Sequence, residues 1–221
     1  MQTVITYLIK NGDFLRDPLV ITPNTRYVVI TDNANIQSKI WSPVIIHPDS
    51  KMDVRATVAM TKFNPFVVNS EKYIIIDASH QIVADLTETF AKISDSAILV
   101  KRHPAKVNIK EEIYRWKTIR HMDDGHVRNI NNFIMAAGDT YYNKPIYEGC
   151  FLGVTNSIPH RNLFSAVLKT LELLRYNDVW FPSNQIVLSL LIHRLGIPVL
   201  ETETTGVFKR YHHNTWREIY G

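Results

Sequence analysis

A single cysteine, Cys150, in 221 residues excludes an internal disulfide and a cysteine-based zinc site, and it fits a reducing compartment. Glycine is scarce, at eight residues. Neither G-x-G-x-x-G nor G-x-x-x-x-G-K-[ST] occurs, which argues against a dinucleotide oxidoreductase and a P-loop ATPase. The G-x-S-x-G nucleophile elbow and His-x-x-x-His metalloprotease spacing are missing as well. No apolar run approaches the ~18 residues that span a bilayer. The first residues lack the basic and apolar regions of a signal peptide. Without repeats, low-complexity tracts or linkers, the expectation is a soluble, cytoplasmic protein with one domain over residues 1–221.

What is present begins with hydrophobic and basic residues. A hydrophobic content of 45% is enough for a full core. The net charge is +4, and residues 101–128 hold eight basic against four acidic side chains, an excess equal to that of the whole chain. A basic surface suits a polyanion such as a diphosphate, a nucleic acid or an acidic glycan; ordinary solvated charge explains it equally well.

Strand-like and helix-like stretches alternate. Short apolar runs at 4–9, 27–30, 44–46, 73–76, 97–100, 149–154 and 199–200 read as strands. Helices are expected over 53–63, 85–93 with Asp85 as N-cap, 109–122, 127–137, 163–174 and 185–195. The last two look the most clearly amphipathic, and Ser183 reads as an N-cap for the second. Residues 205–221 form a polar, aromatic tail. The alternation predicts one α/β layered domain with a mixed, mainly parallel sheet covered by helices. In such sheets ligands sit beyond the carboxyl ends of the strands, so Asp32, Asp77 and Lys101, which follow strands, are expected at one crevice.

Asp77 ends the most hydrophobic strand, where an acid is costly unless it is paired or bound to a metal. It reads either as a ligand for a divalent ion on a diphosphate or as a turn aspartate. Asp32 and Asn33 read as groups for a base or ribose, or as Asx-turn residues. Arg55 and Lys62 lie seven apart on one helix face, as phosphate contacts or as solvated charge. Lys101 and His103 form a basic cluster ahead of Glu111 and Glu112, which orient an acceptor or favour a helix dipole. Glu148, followed by Gly149, is a candidate general base or an edge ion pair. Asn184 and Gln185 are amides able to read sugar hydroxyls, and His212 or His213 could complete a metal site.

These pieces fall in a recognisable order. It runs Ile30-Thr31-Asp32-Asn33, Trp41, Arg55, Lys62, Pro65, Tyr73-Ile74-Ile75-Ile76-Asp77-Ala78-Ser79, His103-Pro104, Glu111-Glu112, Tyr147-Glu148-Gly149 and Asn184-Gln185. The set resembles a glycosyltransferase-like family found beside bacterial capsule genes and in plant cell-wall proteins, related to GT-A nucleotide-sugar enzymes, over residues 26–190. The resemblance implies a Rossmann-like GT-A fold, a nucleotide-sugar donor (a UDP-sugar first) and Mn or Mg at an Asp-x-Asp-like site. It makes Asp77, Glu148 and Glu112 catalytic. It assigns Asp32, Asn33, Arg55, Lys62, Ala78, Ser79, Lys101, His103, Asn184 and Gln185 to the donor, and Asp77 and Ser79 to the metal, which His212 of the tail could complete. Ser79 stands where a second acid often sits, and Asn184 replaces the Asp of the family's Asp-Gln pair. With no membrane anchor, a polyanionic acceptor leads: hydroxymethylated cytosine in DNA, the substrate of bacteriophage enzymes working in the host cytoplasm. A capsular or cell-surface polysaccharide, a non-catalytic nucleic-acid or glycan-binding domain, and a nucleotidyltransferase or phosphotransferase are the alternatives.

Overall fold

The computed structural model describes residues 1–10, 13–48, 52, 54–105, 107–119, 124–176 and 184–211. The strands are β1 (Gln2–Leu8), β2 (Thr25–Thr31), β3 (Ser42–Ile45), β4 (Lys72–Ile76), β5 (His80–Ile82), β6 (Ile98–Arg102), β7 (Tyr147–Thr155), β8 (Val199–Glu201) and β9 (Phe208–Arg210). The helices are α1 (Val54–Lys62), α2 (Thr87–Ala91), α3 (Ile109–Ile119), α4 (Asp124–Ala137), α5 (Ile158–Tyr176) and α6 (Asn184–Arg194). Seven strands form one sheet in the order β3-β2-β1-β4-β7-β6-β8, and β5 pairs with β9 in a second, two-stranded sheet. In the large sheet only the pairings of β7, with β4 and with β6, are antiparallel. The expected α/β class with a mixed, mainly parallel sheet is therefore present.

The apolar strands are buried on both faces, as sheets covered on both sides require. Along β4, Tyr73 and Ile75 enter one core and Ile74 and Ile76 the other, following the two-residue alternation of a strand. The first core packs under α3, α4, α5 and α6, with Phe63 and Phe164 in edge-on contact. The second packs under α2, β5, β9 and the segment carrying Trp41. Gly153 lets β7 pass close to its neighbours: a Cβ there would lie 2.9 Å from the Leu99 Cβ. Gly138, at φ 126°, ends α4 in a conformation that favours glycine. Asn64-Pro65 ends α1 as expected, with Pro65–Val67 continuing as a 3₁₀ turn.

Several local expectations need correction. Strands β5 and β9 were not expected, because three-residue strands carry too little alternation to register. The helix over 184–194 is not amphipathic: Ile186 through Ile192 are all buried, since α6 lies between β7 and its neighbouring helices. Asp85 is not the N-cap of α2. Leu86 occupies that position, and the Asp85 carboxylate accepts the Thr87 N–H at 2.7 Å. Ser183 and the end of the helix expected over 109–122 lie outside the described residues. Among the described residues no helix is long and apolar enough to cross a membrane.

Candidate functional site

Topology brings distant segments to one edge. The strands β1, β2, β4 and β6 run the same way, so their carboxyl ends share an edge; β7 runs against them and contributes its amino end there. Asp77 thus follows β4 beside the bulge of β7, donating its N–H to the Cys150 carbonyl at 3.2 Å. Between β6 and β7 the register slips. Val100 pairs with Leu152, but Lys101 pairs with Glu148, skipping 149–151. A bulge of this kind re-aims side chains, and here it sets Lys101 against Glu148.

Two linked ion-pair groups result. In the inner one, Lys62 from the last turn of α1 places its Nζ 2.7 Å from Asp77 Oδ1, and the Tyr7 hydroxyl donates to the same oxygen. In the outer one, Glu148 Oε2 accepts from Lys101 Nζ at 2.7 Å and from the Cys150 thiol at 3.2 Å. Its Oε1 faces Arg210 Nη1 at 3.9 Å. Lys62 and Glu148 are buried, both at 6% side-chain exposure, whereas Asp77 and Lys101 are partly open and Arg210 is exposed.

Burial and neighbouring charge shape these groups. Desolvation pulls Lys62 down to about 8, opposed by Cys150 and Glu148 and helped by Arg210. Burial pushes the Glu148 carboxyl up, but the hydrogen bonds and charges of Lys101, Cys150 and Arg210 outweigh it and leave the group below its ordinary value. A carboxylate lowered in this way is a poor proton acceptor, so its position suits anchoring cations better than general-base work. His80, buried one turn beyond Asp77, falls to about 4, first through burial and then through Arg210, Lys101 and Lys62. Burial drives the Cys150 thiol far upward, which makes it an inert core thiol.

The other expected site residues are distributed as follows. Asp32 is at the same edge but caps backbone: its Oδ1 accepts the Lys10 N–H at 2.9 Å. Asn33 closes an Asx turn onto Asn35 N–H at 2.9 Å. Ala78 and Ser79 are buried, and the Ser79 hydroxyl lies 3.3 Å from His80 Nδ1. His103 Nε2 and Glu112 Oε2 are 3.8 Å apart, with Arg115 on the same oxygen at 4.0 Å. Burial lowers His103 despite the opposing pull of Glu112 and Glu148. Glu111 forms a reciprocal capping box with Asn108, through bonds of 2.8 and 2.9 Å, which accounts for it structurally. Gln185 Oε1 accepts the Gly149 N–H at 3.3 Å and ties α6 to β7. Asn184 opens α6 beside it. A Cβ on Gly149 would sit 3.5 Å from Lys62 Nζ, an ordinary contact, so close approach is not what this glycine provides. The Arg55 side chain and His212 lie outside the described residues.

Sequence reasoning missed Tyr7, His80 and Arg210. Tyr7 and His80 sit inside or beside apolar stretches and read as core. Arg210 was part of the polar tail, and its only signal was Phe208, an apolar residue two positions earlier on a short strand.

A divalent-cation seat calls for several hard oxygen ligands facing one point. Among the described residues no group of three or more His, Cys, Asp or Glu side chains could hold a metal ion. Asp77 is a single carboxylate whose Oδ1 already carries an ammonium and a phenol, and the Ser79 hydroxyl is turned inward to His80. A dication placed on Asp77 would meet the Lys62 charge at contact range, with Arg210 and Lys101 nearby. The described residues therefore do not fit Mn or Mg. No protein-family model and no curated protein sequence matches the chain.

Proposed function

We propose that the protein is a nucleotide-sugar-dependent glycosyltransferase of the GT-A type. The observation that supports this best is the meeting of Lys62, Asp77, Lys101 and Glu148, from four separate stretches of chain, at the carboxyl edge of a mixed sheet, where α/β proteins bind ligands. Cations fixed there by two acids, Glu148 buried and Asp77 partly open, are arranged to receive phosphates. Asp32 and Asn33, two strands away on the same edge, would lie toward the base and ribose of a donor.

In the transfer, the acceptor hydroxyl oxygen bonds to the anomeric carbon. The bond from that carbon to the diphosphate breaks, its electron pair leaves on the diphosphate, and the proton of the hydroxyl is released to water. What this chain supplies is fixed positive charge where that negative charge develops, which is the larger part of what a protein contributes to such a step. The basic excess over residues 101–128 favours a polyanionic acceptor, hydroxymethylated DNA first and a capsular or cell-surface glycan second. A non-catalytic glycan- or nucleic-acid-binding domain is the second reading, and the occupation of Asp77 by Lys62 favours it.

The test is a thermal-shift screen against nucleotide sugars, followed by mass spectrometry of hydroxymethylated DNA incubated with the hit. A donor at 100 times its Kd should raise Tm by roughly 5 to 10 °C, and Glu148→Gln should lower turnover by roughly 100-fold. A donor that binds but is neither hydrolysed nor transferred selects the binding-domain reading. No shift with any nucleotide sugar removes both the donor and the enzyme.

A further inference from the structure

The Asp77 carboxylate, the residue most expected to grip a metal, is turned to a lysine, and this sets the chemistry of the whole edge. Lys62 neutralises it from within. That leaves Glu148, the buried acid of the pair, and two cations converge on it from different elements: Lys101 on Oε2 and Arg210 on Oε1. Among the described residues, three cations against two acids give the group one net positive charge.

The two outer cations are the accessible ones. Lys101 is 22% exposed and Arg210 53%, while the acid that holds them is 6% exposed. Each has donors to spare, because an ammonium carries three and a guanidinium five, in a fork that matches phosphate oxygens. Arg210 is delivered by a built device. Strand β9 pairs with β5 immediately after the Asp77 turn, with His80 opposite Arg210. The Tyr211 N–H then bonds to the Ser79 carbonyl at 2.9 Å, and Arg16 stacks over the Tyr211 ring at 4.2 Å. His80 registers the field these cations create, for their charges add to burial in keeping its imidazole neutral.

We propose that Lys101 and Arg210, anchored by Glu148, form a metal-independent seat for the donor's diphosphate. This deepens the glycosyltransferase reading and rests on it. Fixed side-chain charge then does at this edge what a divalent cation would otherwise do, and Asp77 serves to hold Lys62 in place instead of binding metal.

The experiment is titration calorimetry of inorganic pyrophosphate with the full chain, in EDTA and in Mg, at low salt. The expected Kd in EDTA is within about threefold of that in Mg. Arg210→Met and Lys101→Met should each weaken binding by about tenfold, the loss of one charge-assisted contact. Both side chains reach solvent, so these variants should fold, and melting curves check it. Asp77→Asn should bind pyrophosphate as tightly as the parent or more so, since an acid is removed and Lys62 stays. Binding that appears only with Mg, or that fails in Asp77→Asn while surviving Arg210→Met, overturns the seat. No binding in either condition overturns it too. Pyrophosphate bound in EDTA with no nucleotide sugar consumed would keep the anion seat and remove the transferase. Sugar transfer strictly dependent on a metal would keep the transferase and remove the seat.

Discussion

Two aspartates stand at the same edge of one sheet, each directly after a buried parallel strand, and their fates differ. Asp32, after β2, caps the Lys10 N–H, and its neighbour Asn33 closes a turn. Asp77, after β4, binds a lysine from α1 and a tyrosine from β1. Local sequence offers each a ligand-binding reading and a turn reading. The difference lies in their neighbours along the sheet. Asp32 follows β2, whose neighbours β1 and β3 are both parallel to it, and its carboxylate meets the backbone that follows β1. Asp77 lies where the sheet changes from parallel to antiparallel, and the bulged start of β7 brings Cys150, Glu148 and, through β6, Lys101 alongside. An acid at a strand end acquires charged partners when the topology delivers them.

The largest effect should come from the groups that Asp77 gathers. Between about pH 8 and 10.5 the unfolded chain keeps the proton on Lys62 that the folded protein has shed, so stability should rise with pH across that window. The gain is roughly 3 kcal/mol for Lys62 alone, and denaturant titrations at stepped pH should lose it in Lys62→Met. Around Lys62 stand Asp77, Tyr7, Cys150, Glu148 and Arg210, and a flat profile in the parent protein would mean that these cancel its desolvation. His80 has the same sign at lower pH. Its folded value near 4 lies below the ordinary 6.5, so acidification through that interval costs stability, and His80→Gln should flatten the slope.

A smaller effect is expected from Asp77→Ala. It leaves a buried ammonium without its counter-charge, but the carboxylate is partly open to water, so the loss should be about 2 kcal/mol by urea unfolding at pH 7. An unchanged midpoint would put the two aspartates in one class. Smallest is Asp32→Ala, about 0.5 to 1 kcal/mol for one exposed bond to the Lys10 backbone, with pyrophosphate binding unaffected. A large loss of anion binding in that variant would erase the distinction drawn between the two strand ends.

Much of the fold was legible because a strand buried on both faces, such as 73–76, looks like little else, and because Asn64-Pro65 and Gly138 mark where helices stop. The buried helix α6 was misread as amphipathic, since its polar ends at Asn184, Gln185, His193 and Arg194 imitate a polar face while the middle has none. At the site, Asp77, Lys62, Lys101 and Glu148 could be picked out as acids and bases beside apolar runs. Arg210 could not, because its role depends on β9 pairing with β5 across more than a hundred residues.

By itself, then, the sequence determined the alternation of strands and helices, the double burial of the central strands and the placing of an acid after β4, because these follow from local backbone preference and hydrophobic period. Tertiary structure alone decided which acid met which base. Ion pairs form between groups a few ångströms apart, and that distance was set by the antiparallel course of β7, the slip between β6 and β7, and the late strand that carries Arg210 back to the edge where Asp77 begins its turn.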